Sequence, residues 1–284
     1  MRSRVRKAKL PNEAPRPSIV GSGTLVADGE SGVWTTLSHE EALMLMQTTG
    51  GLVIDWTRMP TYNTIMAVAA GSGLISLVYF ARALKREVDV HLESWALALA
   101  VPGFILTITG VHMTLTWPFA KYFPYDNIIF GETSFAFGVL LLAATFYLWT
   151  RGSVVTASGD PAGYLARVAR PLSLFVFGMG LALCAIAMAG LVFKLFAAPP
   201  EEPISGAFAN YPWIEAIFMS GLFGLIGIGA LLFPFALRGF THGSPDTVAQ
   251  RVTGWFWVLG GVAFFLFGAL NFFTHIGLIV HTMG

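Results

Sequence analysis

Six runs of about 20 apolar residues dominate this chain, and a run of that length spans the roughly 30 Å hydrocarbon core of a bilayer when it is helical. The runs are Tyr62–Leu84, Trp95–Trp117, Ile128–Trp149, Leu172–Ala197, Ile214–Leu237 and Thr253–Thr282, bounded by charges, Pro/Gly clusters and Trp or Tyr residues. In hydrocarbon each backbone donor and acceptor must be satisfied within the segment, which makes every run a helix. The predicted fold class is all-α: a polytopic bundle of six transmembrane helices in residues 61–284, with an extramembrane N-terminal arm in residues 1–60. Charged residues make up 12% of the 284, about half the share of a soluble domain. The net charge of +1 excludes a nucleic-acid partner held by a basic surface. The single cysteine, Cys184, lies in an apolar run and excludes a disulfide framework or a Cys-x-x-Cys site.

The first sixty residues contain no signal-peptide apolar stretch. Ala14–Trp34 is rich in Pro, Gly and Ser and reads as an extended arm. From Thr36 to Met46 the pattern is that of a short amphipathic helix, with Ser38 at the cap and Glu41 three residues on. An arm with no core of its own suits a chain that lives among other membrane-protein subunits.

Orientation follows from Lys and Arg in the short loops. Arg82, Lys85 and Arg86 follow the first run, Arg151, Arg167 and Arg170 the third, and Arg238 and Arg251 the fifth. The opposite side offers Lys121 and Lys194 against Asp126, Glu132, Glu201, Glu202 and Glu215. This predicts cytoplasmic basic loops and both termini outside. The five positive charges of Arg2–Lys9 argue the other way, but they lie more than fifty residues before the first run, beyond the reach of the rule.

An internal repeat of a helical hairpin is also expected. Phe130-Gly-Glu132 is followed by Gly138, and Trp213-Ile-Glu215 by Gly221, each pair six residues apart and each behind a loop containing Pro and Tyr. The repeat places Glu132 and Glu215 at matching depths near the outer surface.

Ionisable groups inside a bilayer are costly and therefore informative. His112 and His275 both fall in the outer halves of runs that cross in the same direction. Two imidazoles on two helices can ligate a single b haem. Joined by Glu132 and Glu215 they can ligate a first-row transition metal, and His281 is a further candidate ligand. His281 lies six residues beyond His275, about 120° round a helix, so both serve one site only if the helix ends between them. A quinol pocket is the third possibility, with His112 or a glutamate accepting a proton and Trp or Phe side chains holding the ring. Each residue has a plainer use as well. A carboxylate at a helix N-terminus is stabilised by the helix dipole, and an intramembrane histidine beside Thr or Asn hydrogen-bonds within the bundle. Small residues in the first, fourth and fifth runs read as ordinary helix packing, and the Phe264, Phe265, Phe267, Phe272 and Phe273 series as facing lipid or another subunit.

Tyr62-Asn-Thr-Ile-Met, Trp95-Ala-Leu-Ala, Gly110-Val-His-Met-Thr-Leu-Thr-Trp-Pro118 and Phe130-Gly-Glu132 together resemble a family of polytopic membrane proteins of bacteria and archaea catalogued as a domain of unknown function. The resemblance spans Tyr62 to His281. It implies a six-helix integral membrane protein of a prokaryotic cytoplasmic membrane, and marks His112 and Glu132 as family features. The expected function is that of a subunit in a larger respiratory or redox membrane complex, with an outer-leaflet site for haem b or a metal that exchanges electrons with quinone. A cofactor-free accessory subunit is the alternative, and a small transporter a further one. The apolar middles of the runs count against a transporter.

Overall fold

The computed structural model describes residues 24–27, 34–37, 52–86 and 89–283. Each of the six apolar runs is a helix. They are α1 (Asn63–Arg86), α2 (Leu92–Leu115), α3 (Thr133–Thr156, entered through a π-helical turn at Asn127–Glu132), α5 (Ser173–Phe193), α6 (Pro212–Ala236) and α7 (Val248–Thr282). All six are long and apolar enough to cross a membrane. A short helix that the apolar pattern does not announce, α4 (Pro161–Ala169), follows α3. Asp160 caps it by accepting from the Gly163 N–H, and Pro161 occupies its first turn.

Two helix ends differ from expectation for local reasons. Helix α5 stops at Phe193 because Lys194 takes the left-handed conformation, φ 51°, that closes a helix C-terminus. Helix α7 begins at Val248 because Thr247 and Gln250 form a reciprocal capping box. Its 35 residues measure roughly 50 Å, longer than the hydrocarbon core.

The segment up to Val53 is a separate compact unit. Within it Thr24–Ala27 and Trp34–Leu37 pair as antiparallel strands β1 and β2, Thr24 opposite Leu37 and Ala27 opposite Trp34. Of the expected extended arm only these two strands are among the described residues. The helix expected beyond Ser38 lies outside the described residues.

Glycine seams set the packing of the bundle. A Cβ on Gly71 of α1 would stand 2.5 Å from the Gly261 carbonyl oxygen of α7, and one on Gly268 would stand 2.8 Å from Val68 N. The same closeness joins α2 to α3, where a Cβ on Gly138 would stand 2.5 Å from Thr107 N, and α5 to α6, where one on Gly180 would stand 2.8 Å from Leu231 N. Small side chains let backbones approach and gain dispersion contacts that lipid does not supply. With α1 also against α2 and α6 against α7, the order of neighbours is α3, α2, α1, α7, α6, α5. The hairpins α2–α3 and α5–α6 are the two that carry the expected repeat.

One core cluster joins α1, α2 and α3 through Met66, Leu99, Leu106, Leu141 and Leu148. A second gathers Ile129, Ile186, Met219, Phe223 and Phe264. Phe264, expected to face lipid or a subunit, is instead buried against Phe223, ring centroids 5.6 Å apart. Phe267 meets Phe218 at 5.7 Å, whereas Phe265, Phe272 and Phe273 are exposed.

Candidate functional site

His112 lies near the C-terminal end of α2, opposite the basic loops, and is exposed there. Its Nδ1 is 2.7 Å from the Tyr62 hydroxyl, which also reaches the Thr109 carbonyl oxygen at 3.3 Å. When the hydroxyl donates to that carbonyl it accepts from Nδ1–H, and Nε2 is left as a bare acceptor. A phenol is protonated at physiological pH, so Tyr62 keeps its place in the pair. Phe119 closes the other side, edge-on to both the His112 ring (5.7 Å) and the Tyr62 ring (4.9 Å).

Beyond His112 the chain turns back, and Asn127 makes the turn rigid. Its side-chain amide donates to the Met113 and Thr116 carbonyls, and its Oδ1 accepts from the Phe119 N–H at 3.0 Å. The short turn Trp56–Arg58 comes alongside, with the Lys121 N–H donating to the Arg58 carbonyl at 3.1 Å. Together these segments form a cleft of about 350 Å³ lined by Thr57, Arg58, Pro60, His112, Thr116, Pro118, Phe119 and Lys121. An imidazole and two cations meet apolar walls in this half-open cleft. Exposed Trp117 and Tyr122 stand nearby, as aromatic residues do at a membrane interface.

His275 sits elsewhere, in the last two turns of α7, 18% exposed, with Nε2 3.8 Å from Glu202 Oε1. Glu202 belongs to the loop between α5 and α6 and is 11% exposed. Burial raises its carboxyl above the usual range, the nearby Glu215 charge adds to the rise, and the Thr274 hydroxyl opposes it. Glu215 accepts from the Ala198 N–H, which ties the loop to α6. Neither the Asn271 Oδ1 nor the His275 Nδ1, both buried, has a hydrogen-bond partner. Each buried polar atom left so costs about 1–3 kcal/mol.

The contacts of the expected site residues fall into two groups. His112 has Tyr62 and Phe119 for neighbours, and His275 has Glu202. Glu215 joins the His275 group, whereas Glu132 is exposed at the end of the π-helical turn. Helix α7 runs unbroken through His275 and His281, so their side chains diverge, and His281 Nδ1 instead meets the Glu201 carbonyl oxygen at 2.8 Å. Among the described residues no three His, Cys, Asp or Glu side chains converge closely enough to hold a metal ion.

Three residues at this end are not recognisable as site components from sequence. Glu202 and Asp126 read there as loop charges, and Asn127 carries no evident role. Asp126 is mostly enclosed, which pushes its carboxyl up to about 7. For Asn127 the available signal is a lone amide at the threshold of an apolar run.

No curated protein and no solved structure matches this chain. The family model described as a protein of unknown function, DUF981, matches residues 59–277, which take in the six spanning helices up to His275, the Tyr62–His112 pair and Glu202. The chain belongs to the DUF981 family.

Proposed function

We propose that this protein is a subunit of a redox assembly in a prokaryotic cytoplasmic membrane and that it binds quinol in the His112 cleft. The observation that carries the reading is the Tyr62–His112 hydrogen bond at the wall of a cleft at the interfacial end of the bundle. A quinol combines an apolar tail, which can remain in lipid, with two hydroxyls that need polar partners. Nε2 of His112 accepts the hydrogen bond and then the proton of one hydroxyl, Tyr62 fixes the imidazole, and Phe119 packs on the ring. Arg58 and Lys121 stabilise the negative charge that develops on the oxygen as the proton leaves. The second hydroxyl releases its proton to water at the interface, and the two electrons pass to an oxidised redox partner in another subunit. With the basic loops read as cytoplasmic, the cleft belongs to the outer side.

Photolabelling with an azido-quinone tests this reading. The expected label lies between His112 and Lys121 and is lost in His112→Ala. Label spread evenly over the lipid-facing helices in both proteins contradicts it.

The open Nε2 favours a second reading, in which His112 alone ligates a haem or metal. In this reading His275, which faces Glu202, is not the second ligand. A reduced-minus-oxidised spectrum with metal analysis decides: a chromophore lost in His112→Ala and kept in His275→Ala supports a carrier at His112.

A further inference from the structure

The loop between α5 and α6 folds over the ends of α6 and α7 and carries a carboxylate into a polar wall. Pro203 lies directly against Gly277, where no Cβ would fit, and Glu202 beside it faces His275. The 3.8 Å between Glu202 Oε1 and His275 Nε2 is too long for a hydrogen bond and right for attraction between opposite charges. Thr274 is wholly enclosed, and its hydroxyl is directed at the Glu202 carboxylate without reaching hydrogen-bond contact. Asn271, one turn earlier on α7, is 6% exposed and leaves its Oδ1 without a donor, as His275 leaves its Nδ1 without a partner. Buried polar atoms of this kind are satisfied by ordered water.

We propose that Glu202 and His275 form a proton-loading site, holding one exchangeable proton between carboxylate and imidazole across a water that Thr274 and Asn271 coordinate. The proton comes from hydronium in the aqueous phase at this end of the bundle and leaves a water molecule behind. Loaded, the pair is neutral overall; unloaded, it carries one negative charge. The charged group that acts on it is Glu215 from α6, and His281 from α7 and Glu201 and Lys194 from the loop lie at the same end of the bundle. Glu215 favours loading, because two carboxylates close together resist sharing two charges. His281 is engaged with the Glu201 carbonyl, and the Lys194 ammonium lies 5.3 Å from the Trp213 ring centre. This site goes beyond the quinol reading and does not depend on it.

Infrared difference spectra of the full chain, titrated from about pH 5 to about pH 9, read the protonated-carboxyl band and the imidazole bands together. Recorded in an Asp126→Asn background, which removes the other carboxyl that titrates near 7, the expected result is a carboxyl band that fades as the pH rises and is missing when Glu202→Gln is added. Its midpoint should move by about one pH unit, a tenfold change in proton affinity, in His275→Asn, and upward in Thr274→Val. A band unchanged in Glu202→Gln overturns the proposal. So does a midpoint that ignores both His275→Asn and Thr274→Val, which decides the matter even if Glu202→Gln does not fold. Stoichiometric metal in the purified protein that is lost in His275→Asn would also overturn it.

Discussion

Asn127 holds together the turn that shapes the His112 cleft, because one buried amide satisfies two carbonyls and one N–H at and beyond the end of α2. Asn127→Ala strands all three groups and should lower stability by about 1–3 kcal/mol; thermal unfolding in detergent checks it. Asp126, its neighbour, titrates in the opposite sense to a salt-bridged carboxylate. Its folded value near 7 lies above the ordinary value of about 4, so its contribution is full at low pH and is lost as the pH rises through 7. Unfolding temperature should therefore fall between about pH 4 and pH 7, and Asp126→Asn should flatten that slope. A slope identical in both proteins would place its cause elsewhere. Residues of this kind are poorly legible in the sequence. His112 is visible because an imidazole inside an apolar run is costly there. Glu202 and Asp126 look like ordinary loop charges, since only the fold of their loops buries them.

At the scale of helices, the six spans are legible almost to their ends, because backbone hydrogen bonding in lipid leaves a long apolar run no other structure. Which helix meets which is not, since nearly uniform apolarity carries no register. The glycine seams supply it, and they are selective. Gly71 faces backbone across the α1–α7 seam, whereas a Cβ on Gly178 of α5 would meet nothing within 4 Å. Gly71→Leu should cost about 1–3 kcal/mol or separate the pair outright, and Gly178→Leu should be near neutral, both read by thermal unfolding. At the other end of the bundle Lys85, which reads in the sequence as a free loop charge, is buried. Its Nζ donates to Asp246 Oδ1 at 2.6 Å and to Gln250 Oε1 at 2.9 Å, latching α1 to the start of α7. The Lys85 ammonium holds the Asp246 carboxyl below its ordinary value, so the latch is intact above about pH 4 and is lost as the pH falls through that lowered value. Lys85→Met should lower stability by about 1–3 kcal/mol at neutral pH and remove this acid-dependent part.

For the whole molecule, the distribution of loop charge predicts that both termini lie on the side opposite the basic loops. Reporter fusions to the C-terminus check it: activity of a reporter that works only outside the cytoplasm is expected, and activity of one that works only inside would reverse the orientation. The bundle then presents two distinct polar stations at one face, the His112 cleft and the Glu202–His275 pair. The sequence joins them because both imidazoles fall at similar depth, and depth along a helix says nothing of direction around it. The most direct measurement is an equilibrium titration of the lipid-reconstituted full chain with a short-tailed quinone, read by tryptophan fluorescence. Saturable binding with one site is expected, weakened about tenfold in Tyr62→Phe, a loss of about 1.4 kcal/mol, abolished in His112→Ala and retained in His275→Ala. Non-saturable partitioning that is the same in all four proteins would contradict a quinol site at His112.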